Sequence, residues 1–421
     1  MSINVETLQA RRKKLMDEMP DGSIAIILSG NLVARTGDQF HNFVVWRNFF
    51  YLTNIDRANF ALVLIKSTAG TRELLFIDEV SALEEKWSGY RMKKEEASSI
   101  SGIKEKSINS MTDLKKTLGS FMMNEGIEQG YFDLERITYN HLDTEQMTFA
   151  KEFGAQYPFI KMNTLFPIIS KLRLVKSIEE IENLRMAIDK TRIGIEAMMK
   201  AANPGMFEYE IEAHYDFVAK LNGVQERAFH TIAASGANAT VLHYESNNSQ
   251  TKDGDLILFD LGCSWNNYAA DISRTFPVNG MFDERQKEVY TAVLDVEKAV
   301  IEKIKPGVKM SELNKLAKDL LTKKCRELGL IGDNDKDEDV LKYYYHNIGH
   351  SLGLDTHDVG GREFTLEPGM VITIEPGLYI EDESLGVRIE DNILVTENGY
   401  ENLSAGIIRE VADIEAFMKK K

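Results

Sequence analysis

The stretch at residues 253–278, "DGDLILFDLGCSWNNYAADISRTFPV", reads as two β-strands, 255–263 and 268–276, folded back on each other around the polar turn "SWNN". With the turn centred between Trp265 and Asn266, Asp260 and Asp271 are equidistant from it and face each other across the hairpin. Asp260 interrupts "LILFDLG" where alternation calls for an apolar residue. Like charges about 5 Å apart on a half-buried sheet destabilise it, so a positive group is expected between them.

The same arrangement returns at 369–399, "GMVITIEPGLYIEDESLGVRIEDNILVTENG", where Glu375 and Glu390 are symmetric about a turn at Asp382–Glu383. What precedes each hairpin also repeats. In the first half a helix begins at a capping box, Ser177 with Glu180, and carries Ile181, Leu184, Ile188, Ile195 and Met198 at helical spacing up to Pro204-Gly205. A second helix, "FEYEIEAHYDFVAKLNG", follows. In the second half "DERQKEVYTAVLDVEKAVIEKI" stops at Pro306-Gly307, 102 positions after the first stop, and "MSELNKLAKDLLTKKCRELG" follows. Helix, Pro-Gly, helix and paired strands, occurring twice, predict two similar halves that place one site at their interface.

Each half brings two facing acids, Asp260 with Asp271 and Glu375 with Glu390. Four carboxylates joined by imidazole suit Mn, Co, Fe or Zn, and carboxylates can bridge two ions. Two such ions about 3.5–4 Å apart hold a hydroxide and polarise a carbonyl, which is the chemistry of a dimetal hydrolase. The alternative is that some of these acids only form salt bridges, with Arg388 and Arg274 as partners. Imidazole is near at hand in "HNIGHSLGLDTHD" (346–358), which holds three of the eight histidines. The residues alone leave open whether these are ligands, acid/base groups or a polar cluster.

The remainder bounds the setting. At 421 residues the chain suits two domains, and 43% hydrophobic with 28% charged residues is the composition of a globular protein. The first 160 or so residues alternate short β-type runs, "GSIAIILSG", "ANFALVLIK" and "RELLFID", with helical stretches, and hold no cluster of metal-binding side chains. "SALEEKWSGYRMKKEEASSI" reads as helix interrupted at Ser88-Gly89, and "RRKK" at 11–14 as the solvated face of a helix. A net charge of -16 opposes nucleic-acid binding, which depends on neutralising phosphates. No apolar run reaches the roughly 18 residues of a membrane span, and no secretory leader is evident. Two cysteines, Cys263 and Cys325, fit a reducing compartment, so a cytoplasmic location is expected.

The acids and histidines together resemble the pita-bread metallopeptidases, specifically the branch of aminopeptidase P and prolidase. The resemblance runs through "LILFDLG", "AADISRTF", "HNIGHSLGLDTHD", "EPGMVITIEPGLYI" and "GVRIEDNILVT", and "FFYLTNIDRANFALVLI" is similar to the accessory domain of that branch. It implies an α+β chain: an N-terminal mixed α/β creatinase-like domain at 1–165, then a pita-bread catalytic domain at 166–421, a pseudo-two-fold curved antiparallel sheet covered by helices. It implies five metal ligands, Asp260, Asp271, His350, Glu375 and Glu390, with Asp271 and Glu390 bridging two divalent ions. Manganese is favoured among Mn2+, Co2+, Fe2+ and Zn2+. His243 and His357 are then expected beside the substrate, His346 in the pocket next to the scissile bond, Arg388 orienting the site, and Glu375 also as the proton-transferring group. Asn347 departs from the family's usual "HGxGH".

The implied activity is hydrolysis of the N-terminal Xaa-Pro peptide bond through a hydroxide bridging the two metals, with a peptide carrying proline at its second position as substrate. A homodimer or higher homo-oligomer is expected, with no nucleic-acid or membrane partner. Prolidase, acting on Xaa-Pro dipeptides, is the alternative. Methionine aminopeptidase is disfavoured by the N-terminal domain, and a non-catalytic peptide-binding relative by the intact acids.

Overall fold

The computed structural model describes residues 2–136 and 138–419. They divide into two units, Ser2–Arg173 and Leu174 onward.

The N-terminal unit is built on a six-stranded sheet in the order Ile108–Ser110, Gly70–Ile77, Ala61–Ser67, Ser23–Leu28, Gln129–Phe132, Lys161–Thr164. Its central pairings are antiparallel, and the outer ones, together with Ser23–Leu28 against Gln129–Phe132, are parallel. Every residue of Ser23–Leu28 is buried, which is why that strand reads as a continuous apolar run rather than an alternating one. The interrupted helix is observed as Ala82–Ser88 and Lys94–Ser101.

The "RRKK" expectation is corrected. Lys13 and Lys14 are exposed, but Arg11 and Arg12 are buried. Arg12 donates to the carbonyls of Leu52 at 2.8 Å and Ser101 at 3.0 Å, and its Nε to Glu73 at 3.0 Å. Leu52 and Ser101 lie in the last turns of the Arg47–Thr53 and Lys94–Ser101 helices, where backbone carbonyls lack intrahelical donors. One buried guanidinium thus serves two helix ends.

In the C-terminal unit the helices Ile178–Ala201, Glu208–Leu221, Glu284–Ile301 and Met310–Glu327 fall where the repeat predicts. The capping box of Ser177 with Glu180 is formed. Each half contributes antiparallel strands: Ile232–Ser235, Leu256–Leu261 and Ile272–Pro277 in the first, Val371–Ile374, Asp391–Thr396 and Gly399–Asn402 in the second. The second half adds the pair Gly377–Ile380 and Leu385–Arg388. One apolar core, including Ile195, Phe259, Val293, Leu321 and Ile393, packs all four helices on these strands. No helix among the described residues is long and apolar enough to cross a membrane.

The first hairpin differs from the sequence expectation in register. Asp260 pairs with Ser273, and Trp265 pairs with Tyr268, so the turn is centred on Asn266-Asn267. Both have positive φ, 49° and 68°, as a tight right-twisted hairpin requires and asparagine tolerates. Asp271 therefore lies level with Gly262, diagonal to Asp260 and not across from it. A slip of two residues preserves the side-chain parity, so both acids still point to one face. The second hairpin keeps the expected register: Ile374 pairs with Asp391 and Gly377 with Arg388, leaving Glu375 and Glu390 level between the two ladders.

Candidate active site

The two hairpins meet edge to edge. Glu390 N–H donates to Ser273 O at 3.1 Å, Arg388 N–H to Thr275 Oγ1 at 3.2 Å, and Thr275 Oγ1 to Arg388 O at 3.1 Å. Asn392 brackets Asp271, accepting from its N–H at 3.2 Å and donating to its carbonyl at 2.5 Å. These bonds seat the acids of the two halves beside each other.

The histidine-bearing segment is a third wall. It runs along Val371–Ile374, with Thr373 N–H donating to His350 O at 2.9 Å and Glu375 N–H to Ile348 O at 2.8 Å. His350 Nε2 comes to 3.4 Å from Asp271 Oδ2 and 3.6 Å from Glu375 Oε1. Asp271, His350 and Glu390 each turn one ligand atom to within 4.8 Å of the others. Glu390 Oε2 also accepts from Ser273 Oγ at 2.8 Å, and Arg388 Nη2 donates to Asp260 Oδ2 at 2.7 Å.

The electrostatics are those of negative charge collected out of water. Burial, then the charges of Asp260 and Glu375, push the Asp271 carboxyl well above the usual range. Burial and then Asp271 do the same to Glu390. Burial also raises Glu375, with His350 and Arg388 pulling the other way. Asp260 Oδ1 is buried with no hydrogen-bond partner among the described residues, which is costly in a protein interior unless a cation completes the site. Two carboxylate pairs, one imidazole and an orphaned acceptor fit oxygen-preferring divalent ions.

His346 lies across Glu375, Nδ1 to Oε2 at 3.8 Å, and its Nε2 shares a hydrogen bond with Tyr379 Oη at 2.9 Å. Burial and then the Arg388 charge push its pKa down to about 4. His357 sets its ring edge-on to His350 with centroids 4.3 Å apart. Burial of that ring and the His350 charge bring it down to about 4 as well, although the residue is open to solvent on its outer side. Both imidazoles are therefore neutral at pH 7. His243 is exposed and lies within electrostatic reach of both His346 and His357.

Arg274, named from sequence as a salt-bridge partner for the acids, instead pairs with Asp391 at 2.6 Å, both side chains fully buried. Its Nη1 donates to the Glu390 carbonyl at 2.7 Å, so it supports the ligand-bearing strand from behind. Sequence reasoning passed over Ser273 and Tyr379. Ser273 accepts from Arg388 Nε at 2.8 Å while donating to Glu390, and Tyr379 Oη accepts from Arg388 Nη1 at 3.2 Å. The alternation that pointed to the acids held a signal for both: Ser273 is two positions from Asp271 and Tyr379 is four from Glu375, the same faces of their strands.

A sequence profile described as "Metallopeptidase family M24" matches residues 182–397, and one described as "Aminopeptidase P, N-terminal domain" matches residues 8–128. The chain belongs to metallopeptidase family M24, with divalent metal ions as its cofactor class. Among individual relatives, the Xaa-Pro aminopeptidase of Escherichia coli is 32% identical, covering 99% of this chain and 98% of its own. That of Haemophilus influenzae is 34% identical over 98% of this chain and 97% of its own. The solved E. coli aminopeptidase P with the inhibitor Pro-Leu superimposes with a TM-score of 0.89 at 31% identity, covering 100% of this chain and 99% of that one. The N-terminal accessory and C-terminal pita-bread architecture is thus that of the aminopeptidase P structures.

Proposed function

We propose that the chain is a metal-dependent aminopeptidase that hydrolyses the N-terminal Xaa-Pro bond of peptides. The observation that carries this is the grouping of Asp271, His350 and Glu390 with Glu375 beside His350, and with Asp260, whose Oδ1 is buried and has no hydrogen-bond partner among the described residues, together with similarity to Xaa-Pro aminopeptidases over nearly the whole chain. These five residues would hold two divalent ions, Asp271 and Glu390 serving both, with Mn2+ the first choice and Co2+, Fe2+ or Zn2+ as alternatives. When bound, such ions supply Lewis acidity and a nucleophile at neutral pH.

The protein's own groups account for the rest of the chemistry. Glu375, its carboxyl raised by burial, is suited to take a proton and pass it to the leaving nitrogen. Neutral His357, together with His243, offers ring N–H groups to the scissile carbonyl. His346, fixed by Tyr379, lines the pocket for the proline ring. Arg388, spanning Asp260, Ser273 and Tyr379, keeps the Asp260 carboxylate turned inward, as a charged fork can. Glu375→Ala is expected to abolish turnover and weaken metal binding, read by release of the first residue from an Xaa-Pro-containing peptide beside metal analysis; full turnover would refute the assignment.

The accessory domain is assigned to 1–165 and the catalytic domain to 166–421. A homodimer or larger homo-oligomer is supported by the exposed apolar residues Leu32, Val33, Phe40 and Val44, close together in sequence in the N-terminal unit. A cytoplasmic location is supported by the two buried free cysteines. The deciding experiment sets the manganese-loaded protein on Xaa-Pro dipeptides beside tripeptides and longer peptides. Cleavage of the longer substrates supports the aminopeptidase; cleavage of dipeptides alone makes the protein a prolidase.

A further inference from the structure

We propose that Glu208 and Glu212 are positioning residues for His243: two carboxylates one turn apart on the Glu208–Leu221 helix tie down both arms of the loop that carries it. The proposal rests on the reading of His243 as a substrate-facing group.

The His243 ring is exposed, so its place is set by its neighbours in the chain. Five donors converge on the fully buried Glu208 carboxylate. On the arm before His243, Ser235 N–H and Oγ both donate to Oε1 at 2.7 Å and Asn238 Nδ2 at 2.9 Å. On the arm after it, Tyr244 Oη and Ser249 N–H donate to Oε2, each at 2.9 Å. Glu212 takes the next turn of the same helix face. Its Oε2 accepts from Asn247 Nδ2 at 3.0 Å, and Asn247, in the left-handed region at φ 44°, accepts from Ala233 N–H at 3.0 Å and donates to Thr231 O at 2.8 Å. The other Glu212 oxygen accepts from Arg227.

Helix capping does not explain Glu208. That task is done by Glu210, whose side chain accepts from Phe207 N–H at 2.7 Å. Glu208, in the first turn, has instead turned inward. There the helix N-terminus favours a negative charge, and its oxygens are used wholly by the loop. Apolar packing completes the fixation: Leu242 and Tyr244, the residues on either side of His243, pack on the small cluster of Ile232, Ala234, Ala239, Leu258 and Tyr379. Tyr379 is the residue that holds His346 and Arg388. His243 is therefore registered against the site through a buried carboxylate on one side and a shared apolar cluster on the other.

The test is a double-mutant cycle on the metal-loaded full chain, using Glu208→Gln and Tyr244→Phe, each alone and with His243→Ala. An amide at 208 cannot accept from both Ser235 N–H and Ser249 N–H as a carboxylate does. Glu208→Gln is expected to lower kcat/KM by about tenfold or more, divided between kcat and KM as in His243→Ala, and by less than about twofold once His243 is gone. Tyr244→Phe, which deletes one donor and leaves the fold, should follow the same pattern more weakly. Equal losses with and without His243 would make Glu208 merely structural and overturn the proposal. A wild-type chain inactive on every Xaa-Pro peptide would overturn the functional reading instead. Independently of activity, the His243 imidazole NMR resonances, assigned by their loss in His243→Ala, should move in both loop variants; unmoved resonances refute the proposal whatever the enzyme cleaves.

Discussion

Gly349, in the middle of "HNIGH", is where one methyl group should do most damage. Its φ is outside the left-handed region, so backbone freedom is not the reason for glycine there; space is. A Cβ at this position would lie 2.0 Å from Thr373 O, 2.7 Å from its carbonyl carbon and 3.0 Å from its Oγ1, whereas ordinary contact begins at 3.4 Å. The histidine segment and Val371–Ile374 must then part by about 1.4 Å. The flanking bonds, Thr373 N–H to His350 O at 2.9 Å and Glu375 N–H to Ile348 O at 2.8 Å, would stretch beyond hydrogen-bond length. Losing two such bonds costs about 1–3 kcal/mol, and overpacking adds about 1–3 kcal/mol. For Gly349→Ala this predicts a loss of roughly 2–6 kcal/mol, or a Tm lower by about 4–24 °C at roughly 2–4 °C per kcal/mol. Because His350 and Glu375 sit on the two parted segments, a displacement near 1 Å should also lower kcat/KM by about a hundredfold. Thermal unfolding and Xaa-Pro peptide hydrolysis measure the two effects. A variant within 1 °C or so of the wild-type Tm and within about twofold of its activity would refute the close-approach argument.

Arg274→Met removes one cation from the fully buried Asp391 carboxylate, which Arg409 and Asn402 still contact, and takes a donor from the Glu390 carbonyl; it should cost about 1–3 kcal/mol, read as a lower urea midpoint, and an unchanged midpoint would show that Arg274 does not support the strand. Chelation should destabilise the chain, and a divalent ion at about 100 times its Kd should restore about 2.7 kcal/mol, visible as a Tm rise of several degrees; no response would count against the metal site. In the metal-free protein the raised carboxyls of Asp271, Glu375 and Glu390 keep protons that the unfolded chain releases, so their contribution falls as pH rises through the folded values. His346 and His357, lowered to about 4, act oppositely between there and about 6.5 and are neutral in both states above it. Urea unfolding in chelator should therefore show the carboxyl contribution declining as pH rises from about 4 through the folded values, offset by the two histidines only up to about 6.5, with metal abolishing the decline; a carboxyl contribution that grows with pH would reverse the sign. In the N-terminal unit, Arg12→Met strips two helix-end carbonyls and Glu73 of their donor and should cost about 3 kcal/mol, whereas the exposed Lys13→Met should change stability by less than about 0.5 kcal/mol.

The sequence by itself determined the two-fold repeat, the helices and their stops, and the fact that each half offers two acids on one face. These are local properties: helical spacing, Ser177 capping with Glu180, and a period of two that survives even a misjudged turn. The slip at Asn266-Asn267 moved the partner of Asp260 from Asp271 to Ser273 without changing its face. Tertiary structure decided what meets what. Arg12 is buried because the ends of two other helices need donors, and Arg274 leaves the acids of the site for Asp391, 117 positions away. The loop of His243 is held by carboxylates of a preceding helix. A buried polar group must find a partner wherever the packed chain presents one, and no pattern of neighbouring residues encodes which distant segment that will be.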